Sequence, residues 1–202
     1  MSTGRELILQ SLMKARRPAA PVSQIALPDL ADGLAAGFIA RASAAVAQTQ
    51  VIAGIAEAPR IIAEILRSAG APLEIHVPAV SPLLQLPWST APELAVSTEP
   101  PNGNQSAVSA ADFGIAETGT AVFLSGPNSP SSWHFRPGRE FILISKACIL
   151  PRLEDVIARI SAQGIIPATV NLVTGPSRTA DIEQTIELGA HGPRDLHLLI
   201  TG

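Results

Sequence analysis

The chain is poor in aromatic residues and has almost no sulfur chemistry. Tyrosine is absent, tryptophan occurs twice and phenylalanine five times in 202 residues. The core must therefore be built from Ala, Ile, Leu and Val, and a ring platform for stacking bases is excluded. The single cysteine, Cys148, has no partner for an intrachain disulfide and cannot by itself build a zinc-thiolate or iron-sulfur site. Its place in the apolar run Ile142 to Leu150 reads as a buried, inert thiol.

Charge of one sign is also lacking. Fourteen basic residues face 17 acidic ones for a formal net charge of -3, and the densest basic cluster is Lys14-Ala15-Arg16-Arg17. Neither carries the electrostatic footprint of a nucleic-acid binder. No apolar run has membrane-spanning length, and Pro18, Pro21 and Pro28 break the segment behind Arg16-Arg17 where a signal peptide would need its apolar stretch. The expected location is cytoplasmic. Neither glycine-rich nucleotide loop, Gly-x-Gly-x-x-Gly or Gly-x4-Gly-Lys-Ser/Thr, occurs. His76, His134, His191 and His197 are scattered without metal-ligand spacing, so no metal site is expected.

What is present is a hydrophobic share of 47% in a chain long enough for one sizeable domain. Thr3 and Glu6 read as a capping box ahead of Ile8, Leu9, Leu12 and Met13, and a proline-rich linker follows from Pro18 to Pro28. Residues 1–28 are thus read as a helical extension and 29–202 as the main domain. A second helix is expected over Asp29 to Ala47, with Leu34, Phe38 and Val46 inward, and a short strand near Gln50 to Ala53. Ile62, Ile65, Leu66 and Ala69 fall at i, i+3, i+4 and i+7 before Gly70, the pattern of an amphipathic helix with a glycine stop. Leu73 to Val77, Leu94 to Ser97, Phe113 to Ala116, Thr120 to Leu124, Phe141 to Ser145, Ala168 to Val173 and Leu196 to Ile200 read as strands. Pro151 opens a further helix bearing Leu153, Val156, Ile157 and Ile160 on one face. Apolar strands alternating with amphipathic helices predict an α/β fold with a mainly parallel sheet covered on both faces.

Three polar, glycine-marked clusters interrupt this background. In Gly175 to Glu183, a strand-like run ends at Gly175-Pro176, and Asp181 with Gln184 has the spacing of a helix N-terminal capping pair. One reading is a capped strand-to-helix corner. The other is an anion site at the carboxyl end of a buried strand, where helix N–H groups, the hydroxyls of Ser177 and Thr179 and the planar fork of Arg178 converge. In Ala116-Glu117-Thr118-Gly119-Thr120, Glu117 is either a turn carboxylate beside a glycine of positive φ or a proton acceptor at a strand end. In Gly189 to Asp195, His191 is either a local hydrogen-bonding residue or a general acid-base group near neutral pH. A serine hydrolase built on Ser177, Asp181 and His191 lacks the second glycine of a nucleophile elbow.

Taken in order, Ala111 to Thr120, Gly175 to Glu183 and Gly189 to Pro193 running into Leu196 to Ile200 resemble the LutC/YkgG family of lactate utilization proteins, which carry the LUD domain. The resemblance spans about the C-terminal half of the chain. It implies a three-layer α/β/α fold similar to the NagB/RpiA/CoA transferase group. It also implies a role with LutA-like and LutB-like iron-sulfur partners in oxidising L-lactate to pyruvate, the clusters residing on those partners and no cofactor on this chain. The sequence departs from the family at Trp133 to Glu140, where a Leu-Pro-containing segment with a histidine just before the next strand is usual.

On this reading a small carboxylate or phosphate is held by Thr118, Gly119, Gly175, Ser177, Arg178, Thr179, Asp181 and Gly192, with Glu117 or His191 handling protons. Two alternatives stand beside it: a stand-alone sugar-phosphate isomerase or CoA transferase-like enzyme using Glu117 as base or nucleophile, argued from fold analogy alone, and a non-catalytic assembly or regulatory subunit.

Overall fold

A computed structural model describes residues 4–15, 33–164, 167–180, 186–188 and 192–202. The expected capping residue Thr3, the linker Pro18 to Pro28 and the 28/29 boundary lie outside the described residues.

The organising strand is β7 (Arg139–Ser145), whose interior residues are all buried. Phe141 and Leu143 point to one side of the sheet and Ile142 and Ile144 to the other, each pair into its own apolar cluster. A strand apolar on both faces is what a covered parallel sheet requires. It sits in a six-stranded sheet ordered β1 (Gln48–Ile52), β12 (Asp195–Thr201), β7, β4 (Ser106–Ala110), β2 (Glu74–His76), β3 (Ala95–Ser97). Every neighbouring pair in it is parallel.

Helix α3 (Ala58–Ser68) covers one face, packing Ile61, Ile62 and Leu66 with Ile75, Val108, Phe141 and Leu199. Helix α2 (Leu34–Ala44) covers the other with Phe38 and Ala42, beside Ile142, Ile144, Leu198 and Ile200. The fold is α/β in a three-layer α/β/α arrangement. Helix α1 (Gly4–Ala15) exposes Leu7, Ile8, Leu9 and Met13.

Several sequence expectations need correction. The strands near residues 113, 120 and 168 do not join the parallel sheet. They form β5 (Phe113–Ile115), β6 (Thr120–Leu124) and β9 (Val170–Val173) of a second sheet ordered β8 (Ile149–Leu150), β5, β6, β9, antiparallel except where β8 meets β5. This sheet shares the α2 side, and α4 (Leu153–Ala162) packs Val156 onto its Phe113, Ile115 and Val122. β9 is an edge strand with Val170 and Leu172 exposed, not a buried one. β4 had no counterpart in the sequence reading, because its serines mask a strand whose first four residues are buried. In α2 only Phe38 of the three expected core residues is buried; Leu34 and Val46 are exposed, and Val46 takes a positive φ of 69°. Cys148 is half-buried and lines a cavity of about 180 Å³ with Ala110, Ser145 and Thr201, at the carboxyl ends of β4, β7 and β12.

Candidate functional site

Gly175, Ser177, Arg178 and Gly192 line one open groove of about 300 Å³, together with His134, Phe135, Thr174 and Pro193. Two remote segments are tied there by the Ser177 N–H, which donates to the Pro193 carbonyl at 2.8 Å. Gly192 is buried against Ser177, and a Cβ placed on it would lie 3.2 Å from that serine's own Cβ. The Arg178 side chain is exposed and enters no ion pair among the described residues.

The capping pair of the expected strand-to-helix corner, Asp181 and Gln184, lies outside the described residues, and the described backbone on either side of it is strand. Arg178–Ala180 is strand β10, paired antiparallel with β11 (Ile186–Leu188), so Arg178 stands opposite Leu188 in a hairpin. Among the described residues no helix N-terminus adjoins Arg178, and the anion-binding groups they offer there are the guanidinium, the Ser177 hydroxyl and loop backbone. The groove lies at the carboxyl end of β9, the strand expected over Ala168 to Val173, whose Leu172 and Val173 line it. His134 and Pro193 belong to the segments leading into β7 and β12, so it also flanks the amino ends of those central strands. Asp181 and His191 lie outside the described residues; Thr179 is described only as backbone of β10.

Glu117, Thr118 and Gly119 form a turn between β5 and β6 and are not among the groove residues. Glu117 is exposed, its Oε1 3.9 Å from Arg152 Nε. Gly119 takes a φ of 68°. The turn is nonetheless linked to the groove: Thr118 Oγ1 lies 2.6 Å from Thr120 Oγ1, which lies 2.5 Å from Oγ1 of Thr174, a groove residue.

The sequence reading missed a buried polar set behind these loops. His134 Nδ1 sits 2.7 Å from Glu140 Oε1, and both side chains are 0% exposed. The Ser109 hydroxyl donates to the same Oε1 at 2.6 Å, and Phe123 stacks on the imidazole with centroids 3.8 Å apart. The one sequence signal was the unusual Trp133 to Glu140 segment, which contains both ionisable partners.

Residues 103–201 match the family profile described as "LUD domain". Those residues are a LUD domain. Its LUD domain is similar to "Lactate utilization protein C" of Geobacillus kaustophilus, 36% identical over 86 residues that cover 41% of this chain and 36% of that protein. It is likewise similar to the protein of that name from Bacillus subtilis, 36% identical over 83 residues covering 39% of this chain and 35% of the relative. The chain thus spans about a third of the length of the curated relatives it matches. In fold it is similar to the crystal structure of a DUF162 family protein from Deinococcus radiodurans, with a TM-score of 0.63 and 22% identity over 84% of this chain and 96% of that one. The LutC resemblance carried by the three glycine-marked clusters is therefore correct.

Two further groups of the LUD domain have perturbed acidities. Burial pushes the Asp112 carboxyl above its ordinary range, against the lowering effect of the hydrogen bond its Oδ2 accepts from the Leu124 N–H at 2.7 Å. Burial lowers the His197 pKa to about 4, reinforced by the nearby Arg139 charge and opposed by Asp195. Among the described residues no three His, Cys, Asp or Glu side chains are gathered to hold a metal ion. No helix among them is long and apolar enough to cross a membrane.

Proposed function

We propose that the chain acts in lactate utilization as a LutC-like subunit that holds a small carboxylate, lactate or pyruvate, in the groove at Gly175 to Arg178. The observation carrying this reading is the meeting of the Gly175 loop with Gly192 and Pro193 around an exposed guanidinium that has no ion-pair partner among the described residues. The volume of about 300 Å³ lies at the small end of ligand pockets. Arg178 would grip the carboxylate with two parallel N–H donors, and Ser177 would orient it.

Oxidising a 2-hydroxy acid to a 2-oxo acid removes two electrons and two protons. With one cysteine in the chain, the electrons pass to iron-sulfur clusters held by LutA-like and LutB-like partners. The names of the relatives support the pathway, and the groove supports the ligand class.

Calorimetric titration with L-lactate, pyruvate and inorganic phosphate tests the reading. Carboxylate binding that weakens roughly 10- to 100-fold in Arg178→Ala, with an unchanged melting temperature, is expected for a charge-assisted bidentate contact. Binding that ignores the substitution, or no binding of any of the three, overturns it.

A further inference from the structure

A second cavity of about 200 Å³, sharing no lining residue with the groove, is lined by Ser81, Leu83, Asp112, Asn128 and Ser129. Ala110 and Asp112, at the carboxyl end of β4, place it at the edge of the parallel sheet where α/β ligands bind. Arg178 does not line it.

We propose that Ser129, His134 and Glu140 act there as nucleophile, base and orienting carboxylate, transferring short acyl groups from an ester or thioester to water. Ser129 Oγ lies 3.4 Å from His134 Nε2, and the opposite ring nitrogen lies 2.7 Å from Glu140 Oε1. That order and spacing is the recognised geometry of an activated serine, whose first contact is often loose before substrate binds. With Nδ1–H donated to the carboxylate, the neutral imidazole keeps its lone pair on Nε2, toward the serine.

Rigid elements hold each member. Glu140 is on β7 and accepts from Ser109 on β4, while Phe123 on β6 fixes the ring plane. Ser129 sits in a tight turn closed by reciprocal backbone hydrogen bonds with Gly126 of 3.1 and 3.2 Å. Only Ser129 of the three is open to the cavity, as a nucleophile must be. Asn128 stands on the same wall and carries amide donors for a developing oxyanion.

The reaction balances without any redox partner. Ser129 Oγ bonds the acyl carbon as its proton passes to His134 Nε2; the acyl–oxygen or acyl–sulfur bond breaks, and the leaving group takes that proton. Water then gives a proton to His134 while its oxygen attacks the acyl carbon, and Ser129 departs with the proton returned.

The test is labelling of the full chain by a fluorophosphonate probe with site mapping by mass spectrometry, beside hydrolysis of p-nitrophenyl acetate. Labelling is expected at Ser129, and Ser129→Ala is expected to abolish it and lower hydrolysis at least ~100-fold. Glu140→Gln should lower kcat at least ~10-fold with KM within about twofold, as expected of a residue acting through the histidine. Should the buried variant fail to fold, the half-exposed Ser129 still decides. Equal labelling of wild type and Ser129→Ala, no labelling of either, or unchanged hydrolysis overturns the proposal. Because Ser129 lies outside the Gly175 groove, its failure leaves carboxylate binding there untouched.

Discussion

Gly119 and Gly175, 56 positions apart in sequence, rest their backbones against the same helix end. A Cβ on Gly119 would fall 2.2 Å from the Ala42 nitrogen, and one on Gly175 would fall 2.2 Å from the Ala45 oxygen. Both glycines also take positive φ, 68° and 78°. The end of α2 is thus the abutment that brings two of the sequence clusters together.

Replacing either glycine by alanine should therefore cost about 3 kcal/mol or more, since overpacking against backbone adds to the left-handed strain. Gly164, with φ 68° and open space around it, supplies the control: there only the backbone term of about 1 kcal/mol applies. Urea denaturation of the three variants checks this. Equal losses at all three positions would show that packing on α2 contributes nothing.

These contacts explain what the sequence could and could not reveal. Gly175-Pro176-Ser177-Arg178 read correctly as a special loop, because glycine and proline punctuate a chain in any context. The helix start read at Asp181 and Gln184 falls outside the described residues, while the described segments on either side pair as strands; Asp, Thr and Ser serve turns and hairpins as readily as helix caps. β4 was hidden for a related reason: Ser106 and Ser109 look like loop residues until the partner of Ser109 is seen to be the buried Glu140 on β7. Sites made by register between remote strands leave no local periodicity to read.

The Ser109–Glu140–His134 set predicts an ordered series of stabilities. Glu140→Ala removes the hydrogen-bond partner of His134 Nδ1 and leaves a void, for an expected loss of roughly 3 to 5 kcal/mol. Ser109→Ala deletes one of two donors to Oε1 and should cost about 1 to 2 kcal/mol. Glu140→Gln should be the mildest, because Oε1 remains an acceptor and Oε2 has no hydrogen-bond partner among the described residues. Chemical denaturation at pH 7 measures all three, and a glutamine variant as unstable as the alanine one would show that the negative charge itself holds the cluster.

His197 gives the fold an acid-sensitive component. It stacks on Phe141 with centroids 4.8 Å apart, and its pKa is lowered from 6.5 to about 4. A depressed histidine pKa favours the neutral ring in the folded state. The unfolded chain therefore takes up the proton first as pH falls, and stability is lost between about 6.5 and 4. The whole effect is at most ~3 kcal/mol. His197→Gln should flatten the stability profile across that window while leaving the pH 7.5 value less affected. A variant whose profile runs parallel to wild type would assign the acid sensitivity to other groups.

Val46 offers the opposite outcome, a substitution that should stabilise. The Val46 N–H donates to the Ser43 carbonyl and the Ala47 N–H to the Ala42 carbonyl, which makes the end of α2 a Schellman motif with Val46 at the left-handed position. Helix α3 ends the same way, with Ala71 N–H to Leu66 and Gly70 N–H to Arg67, but places a glycine of φ 61° there. A β-branched residue at φ 69° suffers a clash that glycine avoids, about 1 to 2 kcal/mol. Little burial is lost with it, because the side chain is 51% exposed. Glycine's larger unfolded-state entropy takes back part of the gain. Val46→Gly should thus raise stability by about 1 kcal/mol, seen as a melting temperature higher by roughly 2 to 4 °C for a chain of this size. A fall would mean that Val46 holds the α2 end, and with it the seat of Gly175, through contacts worth more than its backbone strain.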